Sequence, residues 1–431
     1  MRILLIAYEF PPIQAAQSLR WYYLGNALAS CGAEIDILTV RIHDLWGEDW
    51  PLHPNISVHR CFPGPFVGVS GWLRRRLTRA DTAEWSSAEN RIGIAEKIYR
   101  LLRRGLDQLL IPDVRTEWFP FAWSRLQALV AQRRPDLIIS SHEPGVDLLL
   151  GLRAKRRWNL PWIADLADPV LAPYTPRWRK MVDNALERRV CQTADCIVVT
   201  NQAMTELMHQ RHNLPLEQCV VIQQGFPITE LPSSVFSPSI KACNHCSMLD
   251  LVYTGTFYKD FRNPDPLFQA IKQVPGVRLV YAGDSSGFEK ELAALGDQAL
   301  VLGRRKHREC LILQSQAALL ISIGNRQAHQ IPGKIFEYFG ACRPILHLFY
   351  DKNDPVKELL ETLHRGRSIP NEQEAIQANL QSLHDSFHAD KMDETVDLSP
   401  QIVSNFSWQA QGDKLWATCE VNHDNPQRTK I

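Results

Sequence analysis

Short, wholly apolar runs separated by amphipathic stretches set the rhythm of the first half of the chain. RILLIAY (2–8) is the first such run, and Pro11-Pro12 soon after it forbids its continuation as a strand. Residues 17–31 place Leu19, Tyr22, Tyr23, Ala27 and Leu28 at helical spacing before Gly32, which predicts an amphipathic helix with a glycine stop. EIDILTV (34–40) follows as a second strand and completes a βαβ unit. The pattern recurs at DLIISS (136–141), PWIADLAD (161–168), DCIVVT (195–200) and QCVVIQQ (218–224), with helical stretches between. Apolar strands joined by helices predict a parallel sheet covered on both faces. The rhythm breaks over 227–248, where three prolines and five serines read as a linker. It resumes with LDLVYTG, VRLVYAGD, ALVLG, AALLISIG and RPILHLF. The expectation is an α/β protein of two doubly wound parallel-sheet domains, 1–225 and 226–400, facing a central cleft at the carboxyl ends of the strands. Residues 401–431 predict a last helix with Trp408, Leu415 and Trp416 available for packing, then a polar tail.

Composition narrows the class without changing the picture. The 431 residues are 45% hydrophobic and 22% charged, ordinary for a folded multidomain chain. With 48 basic and 47 acidic residues the net charge is +1, which argues against a nucleic-acid partner. No apolar run reaches the 18 residues of a membrane span, and Glu9 follows the first run too closely for a signal peptide. Ten irregularly spread cysteines suit a cytoplasmic protein. The Cys243–Cys246 pair around His245 lacks a second ligand pair, so it reads as part of the linker and no metal is expected. One segment departs from neutrality: 72–104 carries nine basic and four acidic residues, interleaved with Trp72, Trp85 and Tyr99. Such a segment can lie on an anionic membrane surface, and it reads equally as a solvated helical face.

Residues just beyond the strands are where ligands meet a doubly wound sheet. The first loop lacks the glycine fingerprint of a dinucleotide site. His142 and Glu143 follow DLIISS directly, and a histidine there can bond a sugar hydroxyl or move a proton, or is a loop histidine with a local hydrogen bond. In the second half Gly255 and Thr256 end a strand with Lys259 and Arg262 close by. That arrangement allows close backbone approach to a phosphate, or is a turn with surface cations. In IPGKIFEYFG, Pro332 and Gly333 open a helix, and Lys334 and Glu337, three apart, share one face. A cation and a carboxylate so placed suit a diphosphate and a ribose; in isolation they are an exposed ion pair.

Taken in order, RILLIAYEFPP, RRPDLIISSHEPG, PWIADLADP, LERRVCQTADCIVVTN, VVIQQGFP, LVYTGTF, VRLVYAGD and IPGKIFEYFGACRPIL resemble glycosyltransferase family 4 and its relatives of the GT-B fold over nearly the whole chain. The resemblance implies a retaining, metal-independent glycosyltransferase with no cofactor beyond its donor, a nucleotide-diphosphate sugar bound by the second domain. By position it assigns Glu337 to the donor ribose. Gly255, Thr256 and Lys334 fall to the diphosphate, with Lys259 and Arg262 expected beside them in the donor site, and Gly283, Asp284, Gly303 and Arg304 to the nucleotide's surroundings. His142 falls to the transferred sugar as the catalytic residue, and Glu143, Asp168 and Arg20 to the acceptor side. Two positions depart from the family pattern: His329 stands in the donor site where a first glutamate is usual, and Ala15–Ala16 where glycines are usual. The implied acceptor is a glycan or lipid-linked sugar of the cell surface, reached at the inner face of the membrane through 72–104. Two other readings remain open: a nucleotide-sugar epimerase of the same fold, needing more cleft carboxylates than Glu143, and a non-catalytic GT-B binding subunit.

Overall fold

A computed structural model of the chain describes residues 1–42, 50–68, 114–172, 175–228, 248–326, 331–389, 391–392 and 396–424. The basic segment 72–104, the Cys243–Cys246 pair, His329 and the end of the tail lie outside these residues. The chain divides into two compact units, Met1–Ile222 joined by Gly412 onward, and Gln223–Gln411.

The first unit is built on a seven-stranded sheet: β1 (Arg2–Ile6), β2 (Glu34–Val40), β3 (Ile56–Cys61), β4 (Leu137–Ser140), β5 (Trp162–Leu166), β6 (Cys196–Val199) and β7 (Cys219–Val221). Their order is β3-β2-β1-β4-β5-β6-β7 and every pairing is parallel. The inner strands β4, β5 and β6 are buried at every position, as helices on both faces require. β3 has no apolar run and escapes sequence detection: as an edge strand it is only partly covered, so His59 and Arg60 serve as well as apolar residues. Helix Trp408–Asp424 reaches this unit from Gly412 onward. Leu415 and Cys419 are fully buried, and a Cβ on Gly412 would lie 2.3 Å from that of Ala27 in helix Ala16–Ser30.

The second unit repeats the plan with β8 (Leu249–Thr254), β9 (Val277–Ala282), β10 (Ala299–Val301), β11 (Leu319–Ile323), β12 (Ile345–Phe349) and β13 (Gly366–Pro370). The order β10-β9-β8-β11-β12-β13 is again wholly parallel. Two apolar clusters cover the two faces, one centred on Leu251, Phe268 and Ile321, the other on Leu320, Phe336 and Phe339. β13, like β3, is a polar edge strand that apolar patterning does not find. In both sheets the first strand pairs with the second on one side and the fourth on the other, so the connections wind in opposite directions from it. The crevice beside that strand's carboxyl end is the ligand position of such sheets.

Candidate functional site

In the second unit this position lies beyond β8 and β11. Gly255 leaves β8 with φ +145°, and its N–H donates to Ala282 O at 3.0 Å. One strand over, Gly283 N–H donates to Gly303 O at 3.0 Å, and a Cβ on Gly283 would stand 1.8 Å from Gly255 O. Main chains therefore meet directly along this edge, which only glycine permits.

Helix Lys334–Ala341 starts at the same edge, behind Pro332 and Gly333. Lys334 Nζ donates to Glu337 Oε2 at 2.8 Å, and Gln314 Nε2, from helix His307–Ser315, donates to the same oxygen at 3.0 Å. The second N–H of that amide meets Thr254 Oγ1, the last residue of β8, at 2.8 Å, and Thr254 N–H meets the Tyr338 hydroxyl at 3.1 Å. The Glu337 side chain is only 11% exposed. Burial alone would raise its carboxyl, but Lys334, the His307 ring and the Gln314 amide outweigh burial and hold it below the ordinary carboxylate value. Glu337 is thus an ionised acceptor in a sheltered place. Among the described residues nothing donates to its Oε1.

Arg262 adds a second cation here. Its Nε and Nη2 bond Asn325 Oδ1, just beyond β11, at 3.2 and 2.7 Å, and its guanidinium lies beside the Tyr253 hydroxyl. Burial pushes the Tyr253 phenol up, so it stays a neutral donor, bonding Thr256 O at 3.3 Å. Gly255, Thr256, Arg262, Lys334 and Glu337 are thereby gathered around one strand end. Lys259 is committed elsewhere: it is 60% exposed, 3.8 Å from Glu291 and over the Phe288 ring. Asp284 and Arg304 satisfy each other at 2.5 Å, and bonds from Ser286, with Arg304, bring the Asp284 carboxyl down to about 2. Gln314, Thr254, Tyr253 and Asn325 carry no sequence signal; only the tertiary fold brings them to Glu337 and Arg262.

In the first unit the equivalent crevice lies beyond β1 and β4. His142 follows β4, nearly buried at 4% exposure, and its Nδ1 donates to Asp168 O at 3.2 Å. A carbonyl accepts only, so the neutral ring carries its proton on Nδ1 and presents Nε2 as acceptor. Asp168 thus acts on His142 through its main chain. Asp147, in the first turn of helix Gly145–Trp158, accepts from Tyr8 N–H at 2.8 Å and ties the exit of β1 to the loop carrying His142. Glu143 is exposed. Arg20, expected on the acceptor side, is fully buried instead: Nε and Nη2 each meet an Asp165 oxygen at 3.0 Å, and Nη2 also meets Ile222 O at 3.0 Å. It binds β5 to the end of the unit and offers no surface to a ligand.

Among the described residues no three His, Cys, Asp or Glu side chains gather as a metal site, and no helix is long and apolar enough to cross a membrane. Residues 17–225 match the family model of the glycosyl transferase 4-like domain. Sucrose-phosphate synthase from Thermosynechococcus elongatus superposes with a TM-score of 0.68 at 16% identity, over 97% of this chain and 98% of that one. HepE from Anabaena, in complex with UDP and glucose, gives 0.63 at 14% identity over 98% of this chain and 100% of its own. A putative UDP-N-acetylglucosamine 2-epimerase from Listeria monocytogenes gives 0.58 at 12%, over 99% and 97%. The shared architecture is the GT-B fold. No curated protein matches this chain by sequence.

Proposed function

We propose that this chain, of GT-B fold and with residues 17–225 matching the glycosyl transferase 4-like domain, is a glycosyltransferase that moves a sugar from a nucleoside diphosphate sugar to a hydroxyl of a glycan or lipid-linked acceptor. The observation that carries this reading is Glu337, an ionised carboxylate with one oxygen held by Lys334 and Gln314 and the other without a donor among the described residues. An open carboxylate oxygen suits a ribose hydroxyl, and the nearby Lys334 and Arg262 suit a diphosphate. As the bond from the sugar's anomeric carbon to the diphosphate breaks, negative charge grows on the leaving phosphate. Cations already in place, Lys334 and Arg262, favour that change without a metal. His142 takes the sugar: with Nδ1 anchored, Nε2 accepts from a sugar hydroxyl and fixes the ring's orientation. Glu143 meets the acceptor. The reading adds a retaining outcome, a product among cell-surface glycans and contact with the inner face of the membrane through 72–104, all supported by the family resemblance.

UDP-sugars are the first donors to test, because HepE is described in complex with UDP and glucose. Incubating the protein with a panel of them and an acceptor mixture should release UDP. Glu337→Ala should weaken UDP binding about tenfold or more, since a hydrogen bond to a charged group is lost. His142→Ala should lower kcat with UDP affinity within about twofold. No UDP release together with no thermal shift on adding nucleotides would defeat the proposal; exchange of one UDP-sugar for its epimer would point to the epimerase.

A further inference from the structure

We infer that Gln314 is a positioning residue for the donor site: its amide fixes which oxygen of Glu337 bonds within the protein and which one faces the nucleotide's ribose. This rests on the donor reading given above. Gln314 is fully buried on helix His307–Ser315, on a different element from both groups it joins. One N–H of its amide goes to Thr254 Oγ1 at the end of β8, and the other to Glu337 Oε2 on helix Lys334–Ala341. Its own Oε1 is buried with no hydrogen-bond partner among the described residues.

That orphaned oxygen argues for a role in the site. Turning the amide over would bring Oε1 to the Thr254 hydroxyl, which can donate, and would satisfy it. The same turn would set Oε1 against the ionised Glu337 oxygen, a repulsion between two acceptors. The observed orientation therefore leaves one buried acceptor unsatisfied so that an N–H can face the carboxylate. With Lys334 bonding the same oxygen, Oε2 is saturated from two directions and the carboxylate plane is fixed. Oε1 of Glu337 is left as the acceptor offered outward. Apolar replacement of Gln314 would free the carboxylate to rotate about its last bond, with Lys334 as its remaining tether.

The groups around Glu337 are Lys334 on its own helix, His307 and Cys310 on the helix of Gln314, Tyr253 on β8, and Tyr338 beside it. Gln314→Glu adds a second carboxylate at hydrogen-bond distance from the first. Two carboxylates so close share one proton, and the variant should then regain the donor contact as pH falls.

The test uses the full chain and two probes, UDP and pyrophosphate, because pyrophosphate has no ribose. The Glu337 carboxyl is followed by carbon NMR titration, with Glu337→Gln supplying the assignment. Gln314→Leu should raise the Glu337 titration and weaken UDP about tenfold while pyrophosphate affinity stays within twofold. Gln314→Glu, nearly the same shape as glutamine, should bind UDP poorly at pH 7.5 and recover most of the loss by about pH 5.5, relative to the wild type at the same pH. Equal loss of UDP and pyrophosphate in Gln314→Leu would overturn the inference, since it would mark a merely structural role. An unmoved Glu337 titration together with unchanged UDP affinity would also overturn it. If the wild type binds no UDP but Gln314→Leu still moves the titration, the hold on Glu337 stands and the nucleotide reading falls.

Discussion

Arg20 and Asp165 show how much one pair of residues can decide. Both are fully buried and meet through two bonds of 3.0 Å, with Ile222 O accepting a third from the same guanidinium. The attraction in such a pair roughly offsets the cost of desolvating both ions, so its presence says little about net stability. Removing one member is different, because the other remains buried and charged. Arg20→Met should therefore destabilise the first unit by about 3–5 kcal/mol, read as a lower urea midpoint, and Arg20→Met with Asp165→Leu should recover a large part of the loss. A negligible effect of the single change would contradict the burial. The pair also marks a limit of sequence reading. An arginine in an amphipathic helix reads as a surface cation, and its partner lies 145 positions away. Gln314 was illegible for the same reason, with Thr254 60 positions distant. Glu337, Lys334, Gly255 and His142 were legible because each sits directly at a strand end or in the first turn of a helix. There the local pattern alone fixes their place at the carboxyl edge of the sheet, though not the partners they meet.

At the scale of elements, every strand with a continuous apolar run was readable and the two polar edge strands were not. β3 and β13 are covered on fewer sides, so selection for apolar side chains is weak there. Most of the described helices start without a side-chain cap, and helix Pro355–Leu363 is one of the few exceptions. Asp354 opens helix Pro355–Leu363: its Oδ1 accepts from Val356 N–H at 2.8 Å and Lys357 N–H at 3.4 Å. Its other oxygen stands 3.3 Å from Nε2 of the fully buried His347 on β12. One side chain thus starts a helix and fixes it to the sheet. Asp354→Ala should cost about 1–2 kcal/mol in chemical denaturation, the range for a lost N-cap. Asp354→Asn should cost less, because the amide oxygen still caps the helix while only the charge facing His347 is lost.

The two sheets share the strand order around their first strand, and the units differ in what each places at its own crevice: a tethered histidine in the first, a carboxylate bonded by a lysine in the second. Placing charged and neutral groups in that way leaves a mark on stability against pH. His307, beside Glu337, is held neutral by burial, and its ring titrates near 4 against about 6.5 for a free histidine. Between those values the unfolded chain binds a proton that the folded chain refuses. The unfolded state then carries more protons, so stability rises with pH across this window and falls as pH drops through it. One proton contributes at most about 1.4 kcal/mol per pH unit. Asp36, Asp284, Asp354 and Glu337 behave oppositely in origin but alike in direction. Their folded values lie below the ordinary carboxylate range, so their contribution is complete above about pH 4 and disappears below it. Acid should therefore weaken the wild type in two stages, the first from His307 and the second from the carboxylates. His307→Gln should flatten the urea midpoint between pH 6.5 and 4 relative to the wild type and leave the decline below pH 4 in place. A variant with the wild-type slope throughout would mean that His307 takes up its proton in the folded state as readily as in the unfolded one.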